Sequence, residues 1–285
     1  MKKLLLLVLP TIMLGSALIA QERASRDLLK ERSFPEGMEG PAIDKYGNLY
    51  AVSYLRRGTI AFVDPVNQMV SLYLTLPEGS TGNGIRFSKD RTMYIADYTG
   101  HKVLFMKPGS TMLETYSYNP AMNQPNDLTI CNKTGVIYLS DPNWTQNNGN
   151  LWMVLPGGKV ILVESEMGTT NGVEITRDGS KLYVNESNQR NIWVYKIDRE
   201  GRPYDKRLFI KFSDFGMDGM RCDSKGNLYV SRYGAGKIVK ISPNGKVLKE
   251  YRLKGKNCTN ITLSLDEKTA YVTMQDRGCF EVIDL

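Results

Sequence analysis

The stretch from Asn171 to Ser187 reads NGVEITRDGSKLYVNES and has the pattern of a small hairpin. A polar residue and a glycine precede a short alternating strand, a polar turn follows, and Leu182-Tyr183 opens a second strand. The same order recurs five more times, in segments that begin at Glu39, Asn83, Asn126, Asp218 and Thr259. Along the chain the six starts are 44, 43, 45, 47 and 41 residues apart, a period typical of a propeller or a solenoid.

The first copy predicts four short strands joined by tight turns. The turn residues Lys45 to Asn48, Gly58 and Asp64-Pro65 separate these strands. The predicted strands are Pro41 to Asp44, Leu49 to Tyr54, Thr59 to Val63, and Gln68 to Leu76. Four strands per period describe a propeller blade, and no stretch after residue 30 has sustained helical periodicity. We therefore predict an all-β fold, a six-bladed β-propeller.

The last copy lacks a fourth strand, because the chain ends after Ile261 to Leu265, Ala270 to Met274 and Phe280 to Asp284. The segment Leu28 to Phe34 (LLKERSF) resembles Val247 to Leu253 (VLKEYRL), which precedes that copy. We therefore expect the N-terminal strand to join the last blade and close the ring, which removes an exposed sheet edge.

The N-terminus has the three-part form of a secretory signal peptide. Lys2-Lys3 precede an almost wholly apolar run from Leu4 to Ala20, with small residues near its end. We predict a signal peptide over residues 1–20 and a single propeller domain over residues 21–285. The mature protein would be secreted or periplasmic; alternatively, an uncleaved N-terminal segment anchors it to the membrane.

Composition argues against a nucleic-acid partner and a cysteine metal site. The chain carries a net charge of +7 over 285 residues, but its basic residues are scattered rather than clustered with aromatics. We expect a monomer that acts on a small molecule. None of Cys131, Cys222, Cys258 and Cys279 forms a CxxC pair. Cys222 falls at a core position, and Cys258 and Cys279 share one repeat, where a disulfide between them is one possibility.

The first residues of the six copies all carry side-chain oxygen: Glu39, Asn83, Asn126, Asn171, Asp218 and Thr259. In a propeller the innermost strand of each blade lines the central channel, so these residues would meet at one channel mouth. Hard cations prefer oxygen ligands, and Ca²⁺ tolerates flexible geometry. The alternative is turn chemistry, since Asn-Gly and Asp-Gly are good turn dipeptides. Glu39 has no such turn preference, and Asn126 precedes Asp127 rather than glycine.

Four stretches resemble the senescence marker protein/gluconolactonase family, which includes luciferin-regenerating enzymes. They are EGPAIDKYGNLY (39–50), PNDLTICNKTGVIYLSDP (125–142), NGVEITRDGSKLYVNES (171–187) and DGMRCDSKGNLYV (218–230). The resemblance implies a six-bladed propeller with a central divalent metal, usually Ca²⁺. It assigns Glu39, Asn171 and Asp218 as metal ligands, and Asn126 as a ligand or a substrate contact. Sugar-lactone members often carry Arg where this chain has Gln124, and this departure weakens the case for an aldonolactone as the substrate.

These observations predict a calcium-dependent lactonase, with another divalent cation as the alternative cofactor. The metal ligands would be Glu39, Asn126, Asn171 and Asp218, and Asp218 would act as the catalytic base or only hold the metal. Substrate contacts would come from Asn83, Asn126 and Gln124, with Asp141 and Asn143 as further pocket residues. The competing hypotheses are a phosphotriesterase-like hydrolase on the same metal and a non-catalytic ligand-binding propeller. The single histidine, His101, is expected at the surface.

Overall fold

The structure is a computed structural model that describes residues 25–35 and 37–285. In this part of the chain, 24 strands form six four-stranded antiparallel sheets, which are the blades of a six-bladed β-propeller. No helix among these residues has the length and hydrophobicity needed to cross a membrane. The predicted signal peptide, residues 1–20, lies outside the described residues, and the export of the chain stays a prediction.

The chain enters the ring in blade 6 with the short strand β1 (Arg26–Asp27) and then builds the blades in order. Blade 1 consists of β2 (Glu39–Ile43), β3 (Leu49–Val52), β4 (Thr59–Asp64) and β5 (Met69–Thr75). Blade 2 consists of β6 (Gly82–Phe87), β7 (Met93–Asp97), β8 (Lys102–Met106) and β9 (Glu114–Tyr118). Blade 3 consists of β10 (Leu128–Ile130), β11 (Ile137–Asn143), β12 (Asn148–Val154) and β13 (Val160–Met167).

Blades 4 to 6 continue the same arrangement. Blade 4 consists of β14 (Thr170–Ile175), β15 (Lys181–Glu186), β16 (Asn191–Ile197) and β17 (Pro203–Lys211). Blade 5 consists of β18 (Met220–Cys222), β19 (Leu228–Arg232), β20 (Lys237–Ile241) and β21 (Val247–Arg252). Blade 6 consists of β22 (Cys258–Leu263), β23 (Thr269–Met274), β24 (Cys279–Asp284) and β1. The predicted strands of the first and last copies are confirmed to within a few residues.

Hydrogen bonds to one aspartate explain why the repeated turn sequence joins two strands. Asp44 Oδ1 accepts hydrogen bonds from the backbone N–H groups of Tyr46 (2.8 Å) and Asn48 (3.0 Å). Gly47 supplies the positive φ of 88° that the turn requires, and the Tyr50 hydroxyl donates back to Asp44 Oδ2 at 3.2 Å. Blade 5 repeats the arrangement around Asp223. The turn therefore sets the register of the first two strands of each of these blades.

The blades pack against one another around a central channel. The six innermost strands are β2, β6, β10, β14, β18 and β22, and each contacts the innermost strands of both neighbouring blades. The hydrophobic core is divided into clusters that lie between adjacent blades. For example, Val136, Tyr138 and Leu151 of blade 3 pack with Val173 and Leu182 of blade 4. Each fully buried side chain of this kind contributes roughly 1.5–3 kcal/mol, so the seams between blades stabilise the ring.

The predicted ring closure is confirmed, but the closing strand is shorter and begins earlier than expected. β1 pairs with β24 through Arg26 and Asp27, whereas the predicted strand, Leu28 to Phe34, forms bends and turns. This segment makes separate backbone hydrogen bonds to Phe280, Arg277 and Gly278 without forming a strand. Phe34 is buried between blades 6 and 1, with its ring 6.1 Å from that of Phe280. The apolar residues that suggested a strand therefore serve the seam between the first and last blades.

All four cysteines of the chain lie in the described region as free thiols, so Cys258 and Cys279 are not bonded to each other. Cys258 on β22 and Cys279 on β24 are each opposite Met274, on the two sides of β23. Two strand spacings separate their backbones by about 9–10 Å, which exceeds the reach of a disulfide. Cys222 is partly buried and packs against the core between blades 4 and 5, close to its predicted core position.

Candidate functional site

One mouth of the channel opens into a cavity of about 580 Å³. Its lining includes the first residue of every repeat: Glu39, Asn83, Asn126, Asn171, Asp218 and Thr259. Each of these residues lies within two positions of the start of an innermost strand, and the ring geometry therefore places them at one height around the axis. The four residues predicted to bind a metal thus line a common cavity, together with the predicted substrate contact Asn83.

Two carboxyl groups lie side by side on the floor of this cavity. Glu39 and Asp218 share a hydrogen bond between their side chains. Removal from bulk water raises the pKa of Glu39 to about 7, and the nearby carboxylate of Asp127 adds to the effect. Burial, followed by the charge of Glu39, raises the pKa of Asp218 well above its usual range. Two adjacent carboxylates cannot both ionise without a compensating positive charge.

Asparagine side chains surround the carboxyl pair. Asn171 is nine-tenths or more buried and forms a side-chain hydrogen bond to Asp218, while its Oδ1 atom has no hydrogen-bond partner. Asn83 Nδ2 donates to the backbone carbonyl of Asn126 at 3.1 Å, so the amide group of one repeat contacts the backbone of the next. A buried amide oxygen without a hydrogen-bond donor is costly in a folded protein. A hard cation would serve as the missing partner.

A second ring of residues lies one position further along each repeat, and the sequence reasoning overlooked it. Four of these positions are glycine, whereas the other two are Asp127 and Asn260. Asn260 Nδ2 donates to Glu39 Oε2 at 3.3 Å, and the Gly40 N–H donates to the same oxygen at 2.8 Å. A Cβ atom at Gly219 would lie 1.9 Å from Asn260 Cγ. The glycines therefore leave room at the axis for the two polar side chains, a signal visible in the repeat alignment.

Asn185 of β15 is a further residue that the sequence reasoning missed. Its Nδ2 atom donates to the backbone carbonyl of Asp218 at 2.6 Å, and the side chain is fully buried. This contact fixes the backbone that carries the Asp218 carboxyl group. Asn185 stands inside an ordinary strand rather than at a repeat start, so no sequence pattern marked it.

Three residues predicted near the pocket, Gln124, Asp141 and Asn143, are not among those that line the cavity. The Asp141 carboxylate is buried and accepts hydrogen bonds from the Gln124 N–H (2.6 Å) and Trp152 Nε1 (2.8 Å). Asp141 therefore holds the loop before Asn126 in place. The predicted substrate role of Gln124 stays a prediction. Thr259 lines the cavity, but its hydroxyl donates to the Met38 carbonyl at 2.9 Å, consistent with a structural role.

Aromatic and polar side chains form the cavity walls. Tyr98 and Trp144 lie together on one side, where the indole forms a side-chain hydrogen bond with Tyr98. On another side the Tyr233 hydroxyl donates to Gln275 Oε1 at 2.6 Å. Arg57 also contributes to the wall. The lining contains no histidine; His101 is half-buried, with Nδ1 2.7 Å from the Met122 carbonyl oxygen, rather than on the surface as predicted.

The opposite end of the channel holds four buried charges that link different blades. Arg86 of blade 2 lies 3.1 Å from a carboxylate oxygen of Asp127 in blade 3. Arg221 of blade 5 lies 3.4 Å from Glu174 Oε2 of blade 4. Arg221 also donates to the carbonyls of Ile261 and Pro41, both at 3.2 Å. Together with the 3.7 Å contact between Arg86 and Glu174, these contacts connect all six blades.

The cavity floor fits a hard divalent cation. Within the described chain no group of three or more His, Cys, Asp or Glu residues suited to a metal occurs. The candidate centre instead combines two carboxyls with amide oxygens, a donor set that suits Ca²⁺. The unpartnered oxygen of Asn171 and the adjacent buried carboxyls are groups that such an ion would satisfy.

Comparison with known proteins identifies relatives over most of the chain. The gluconolactonase of Zymomonas mobilis is 29% identical over 191 residues, which are 58% of this chain and 52% of that protein. The lactonase drp35 of Staphylococcus saprophyticus is 26% identical over 238 residues, 76% of this chain and 71% of that protein. The chain spans about half the length of the first curated relatives that it matches.

Solved structures show the same fold. A calcium-binding protein, regucalcin, from Agrobacterium tumefaciens superposes with a TM-score of 0.78 at 19% identity, covering 91% of this chain and 93% of that chain. A gluconolactonase from Xanthomonas campestris superposes with a TM-score of 0.76 at 20% identity, covering 95% and 93%. The profile of the SMP-30/Gluconolactonase/LRE-like region matches residues 38–276. With a match over that much of its length, the chain belongs to the SMP-30/gluconolactonase/LRE-like family.

Proposed function

We propose that this protein is a metal-dependent hydrolase that opens a lactone. The observation that carries the proposal is that Glu39, Asp218, Asn171 and Asn126 line one cavity, with the two carboxyl groups side by side. Relatives named gluconolactonase, pentonolactonase and lactonase support the choice of bond. Family membership alone would leave the chemistry open, whereas a buried oxygen-donor site beneath an open cavity suits attack on an ester carbonyl.

Glu39, Asn126, Asn171 and Asp218 would hold the cation, with Ca²⁺ favoured because all donors are oxygen. A bound divalent cation supplies positive charge that polarises a carbonyl and stabilises an oxyanion. Asn260 and the Gly40 N–H both contact Glu39 Oε2, which orients that carboxyl group. Asn185 holds the backbone of Asp218. Each acidic side chain is therefore positioned by a neighbouring blade or by its own turn.

The remaining residues of the cavity would bind the lactone. Asn83 and Asn126 offer amide groups beside the carboxyl pair, and the loop that carries Gln124 adjoins Asn126. Tyr98, Trp144 and Tyr233 supply apolar faces against which a sugar-like ring packs. The ionised Asp218 carboxylate would accept a proton from the attacking water, as a general base does. No serine nucleophile is needed for this chemistry.

The test is hydrolysis of a panel of sugar and aliphatic lactones by the purified full-length chain. Activity should disappear with a chelator and return with Ca²⁺. Asp218→Asn should lower kcat at least about 100-fold, the range of general-base removal. Asp266→Asn makes the same chemical change on the exposed outer surface and should keep wild-type activity.

Two results would overturn the proposal. The first is an Asp218→Asn variant as active as the wild type. The second is a protein that hydrolyses none of the lactones while binding no divalent cation. Hydrolysis of organophosphates in place of lactones would keep the metal site but change the bond attacked.

A further inference from the structure

The channel mouth opposite the cavity floor presents two arginines at the same position of their repeats. Arg86 stands three residues after Asn83, and Arg221 stands three residues after Asp218. Their side chains are only 8% and 12% exposed. Buried arginines are ordinarily matched by acceptors for most of their N–H groups, so the partners of these two decide what the mouth can bind.

The protein satisfies only part of this donor capacity. Arg86 donates hydrogen bonds to the Ile85 carbonyl and to Asp127 Oδ2. Arg221 donates to Ile261, Glu174 and Pro41. Each guanidinium has five N–H groups. The Nε atom of Arg86 is buried and has no hydrogen-bond partner, which is costly unless an acceptor is supplied.

The two arginines at this mouth are close enough to affect each other electrostatically, and two carboxylates lie beside them. Burial, and then the neighbouring charge of Arg86, lowers the pKa of Arg221 to about 10, although Glu174 opposes the change. Asp127 and Glu174 each lie within ion-pair distance of Arg86, at 3.1 and 3.7 Å. The two carboxylates balance the two arginines, and at the rim the largely exposed Arg177 is balanced by Glu267.

Two adjoining cavities of about 230 and 160 Å³ open at this mouth. They share Arg86, Arg177, Arg221, Phe87 and Cys222 in their linings. Hydroxyl groups of Thr129, Thr176, Thr262 and Ser264 line one or other of them. Glu267 approaches Arg177 at 3.8 Å, and Glu174 lies in the smaller cavity. The space and the excess of donors suit a small anion rather than a large ligand.

We propose that this second mouth binds a small oxyanion, a phosphate or a carboxylate group, beside Arg86 and Arg221, with Arg177 at the rim as a further donor. The anion would accept the buried Nε–H of Arg86, which has no protein partner, together with a charge-assisted hydrogen bond from Arg177. The site lies at the opposite end of the channel from Glu39 and Asp218. It is independent of the hydrolysis proposed above.

The experiment titrates the full-length protein with inorganic phosphate, and separately with malonate, at constant ionic strength and with a chelator present. Binding is measured by calorimetry and by the rise in Tm that a ligand of the native state produces. Arg177→Gln should weaken binding about tenfold, the loss of one charge-assisted hydrogen bond. Arg199→Gln removes the same charge from an exposed turn and should leave the affinity unchanged.

Asp218→Asn locates the site, because an anion bound at the opposite mouth should keep its affinity when the cavity floor is altered. Arg221→Lys keeps the buried charge but loses the guanidinium donors, and it should also weaken binding. A preference for phosphate or for malonate distinguishes the two sources of oxyanion. The proposal is overturned if neither anion raises Tm more than chloride does, or if Arg177→Gln and Arg199→Gln weaken binding equally.

Discussion

The two ends of the central channel balance their buried charges differently. On the cavity floor, Glu39 and Asp218 stand together among neutral amides. At the opposite mouth, Arg86 and Arg221 are each paired with a carboxylate from a neighbouring blade. Glu39 and Asp218 share one repeat position, and Arg86 and Arg221 share another, three residues further along their repeats. The comparison shows that acidic groups lie side by side on the floor, whereas opposite charges are paired between blades at the other end.

Removing an arginine from the paired end should have the largest effect. Arg221→Met loses the bonds to Pro41, Ile261 and Glu174 and leaves the buried Glu174 carboxylate with only the longer 3.7 Å ion pair to Arg86. The free energy of unfolding should fall by roughly 3–5 kcal/mol, as when one partner of a buried ion pair is removed. Chemical denaturation measures this fall. Arg207→Met, at an exposed pair with Asp205, should change stability by less than ~1 kcal/mol.

Removing a carboxyl from the cavity floor should act on cation affinity instead of stability. Glu39→Gln keeps the shape but deletes one of two adjacent acidic groups, so Ca²⁺ affinity should fall about 100-fold, at least as much as loss of an outer-shell partner. The metal-free protein should be no less stable, because like-charge repulsion is relieved. Calorimetric titration measures the Ca²⁺ affinity, and thermal unfolding measures the stability of the metal-free protein. Glu200→Gln in an exposed turn is the control; a cation affinity unchanged in Glu39→Gln would contradict the difference between the ends.

The glycines around the floor provide a sharper test of crowding at the axis. Gly219→Ala would place a methyl group 1.9 Å from Asn260 Cγ, which should destabilise the fold by about 1–3 kcal/mol. Adding Asn260→Ala should recover much of that loss, since the obstructing side chain is gone. A double-mutant cycle measures the coupling between the two positions. Additive effects would show that Asn260 does not occupy this space.

Removing an ion pair outside the channel should have the smallest effect on the free energy of unfolding. Asp27 of β1 lies 2.6 Å from Arg277 Nη1, and this hydrogen bond is the main cause of a lowered pKa of Asp27. Asp27→Asn should cost roughly 0.2–1 kcal/mol. Because the folded-state pKa is lowered, the stabilisation is present above an unfolded value of about 3.9 and is lost as the pH falls through the folded value. Unfolding curves should therefore show the two proteins converging in acid.

The repeat made the propeller and its cavity positions predictable, because alternation and turn chemistry are local properties. Glu39, Asn83, Asn126, Asn171 and Asp218 were all found by their common phase. The closing strand was misplaced because Leu28, Leu29 and Phe34 are apolar for a different reason: they fill the seam between blades 6 and 1. The same pattern of apolar residues serves strand pairing in one place and packing in another.

The sequence by itself determined the number of blades, the closure of the ring by the N-terminal segment and the six oxygen-bearing positions at one mouth. It did so because each blade carries its own turns and alternation. Only the tertiary structure decided that Asn260 contacts Glu39, that Asn185 holds Asp218, and that Arg86 and Arg221 pair with Asp127 and Glu174 of neighbouring blades. Those contacts join different blades or turns, and their partners are set by where the ring brings the strands together rather than by any local pattern.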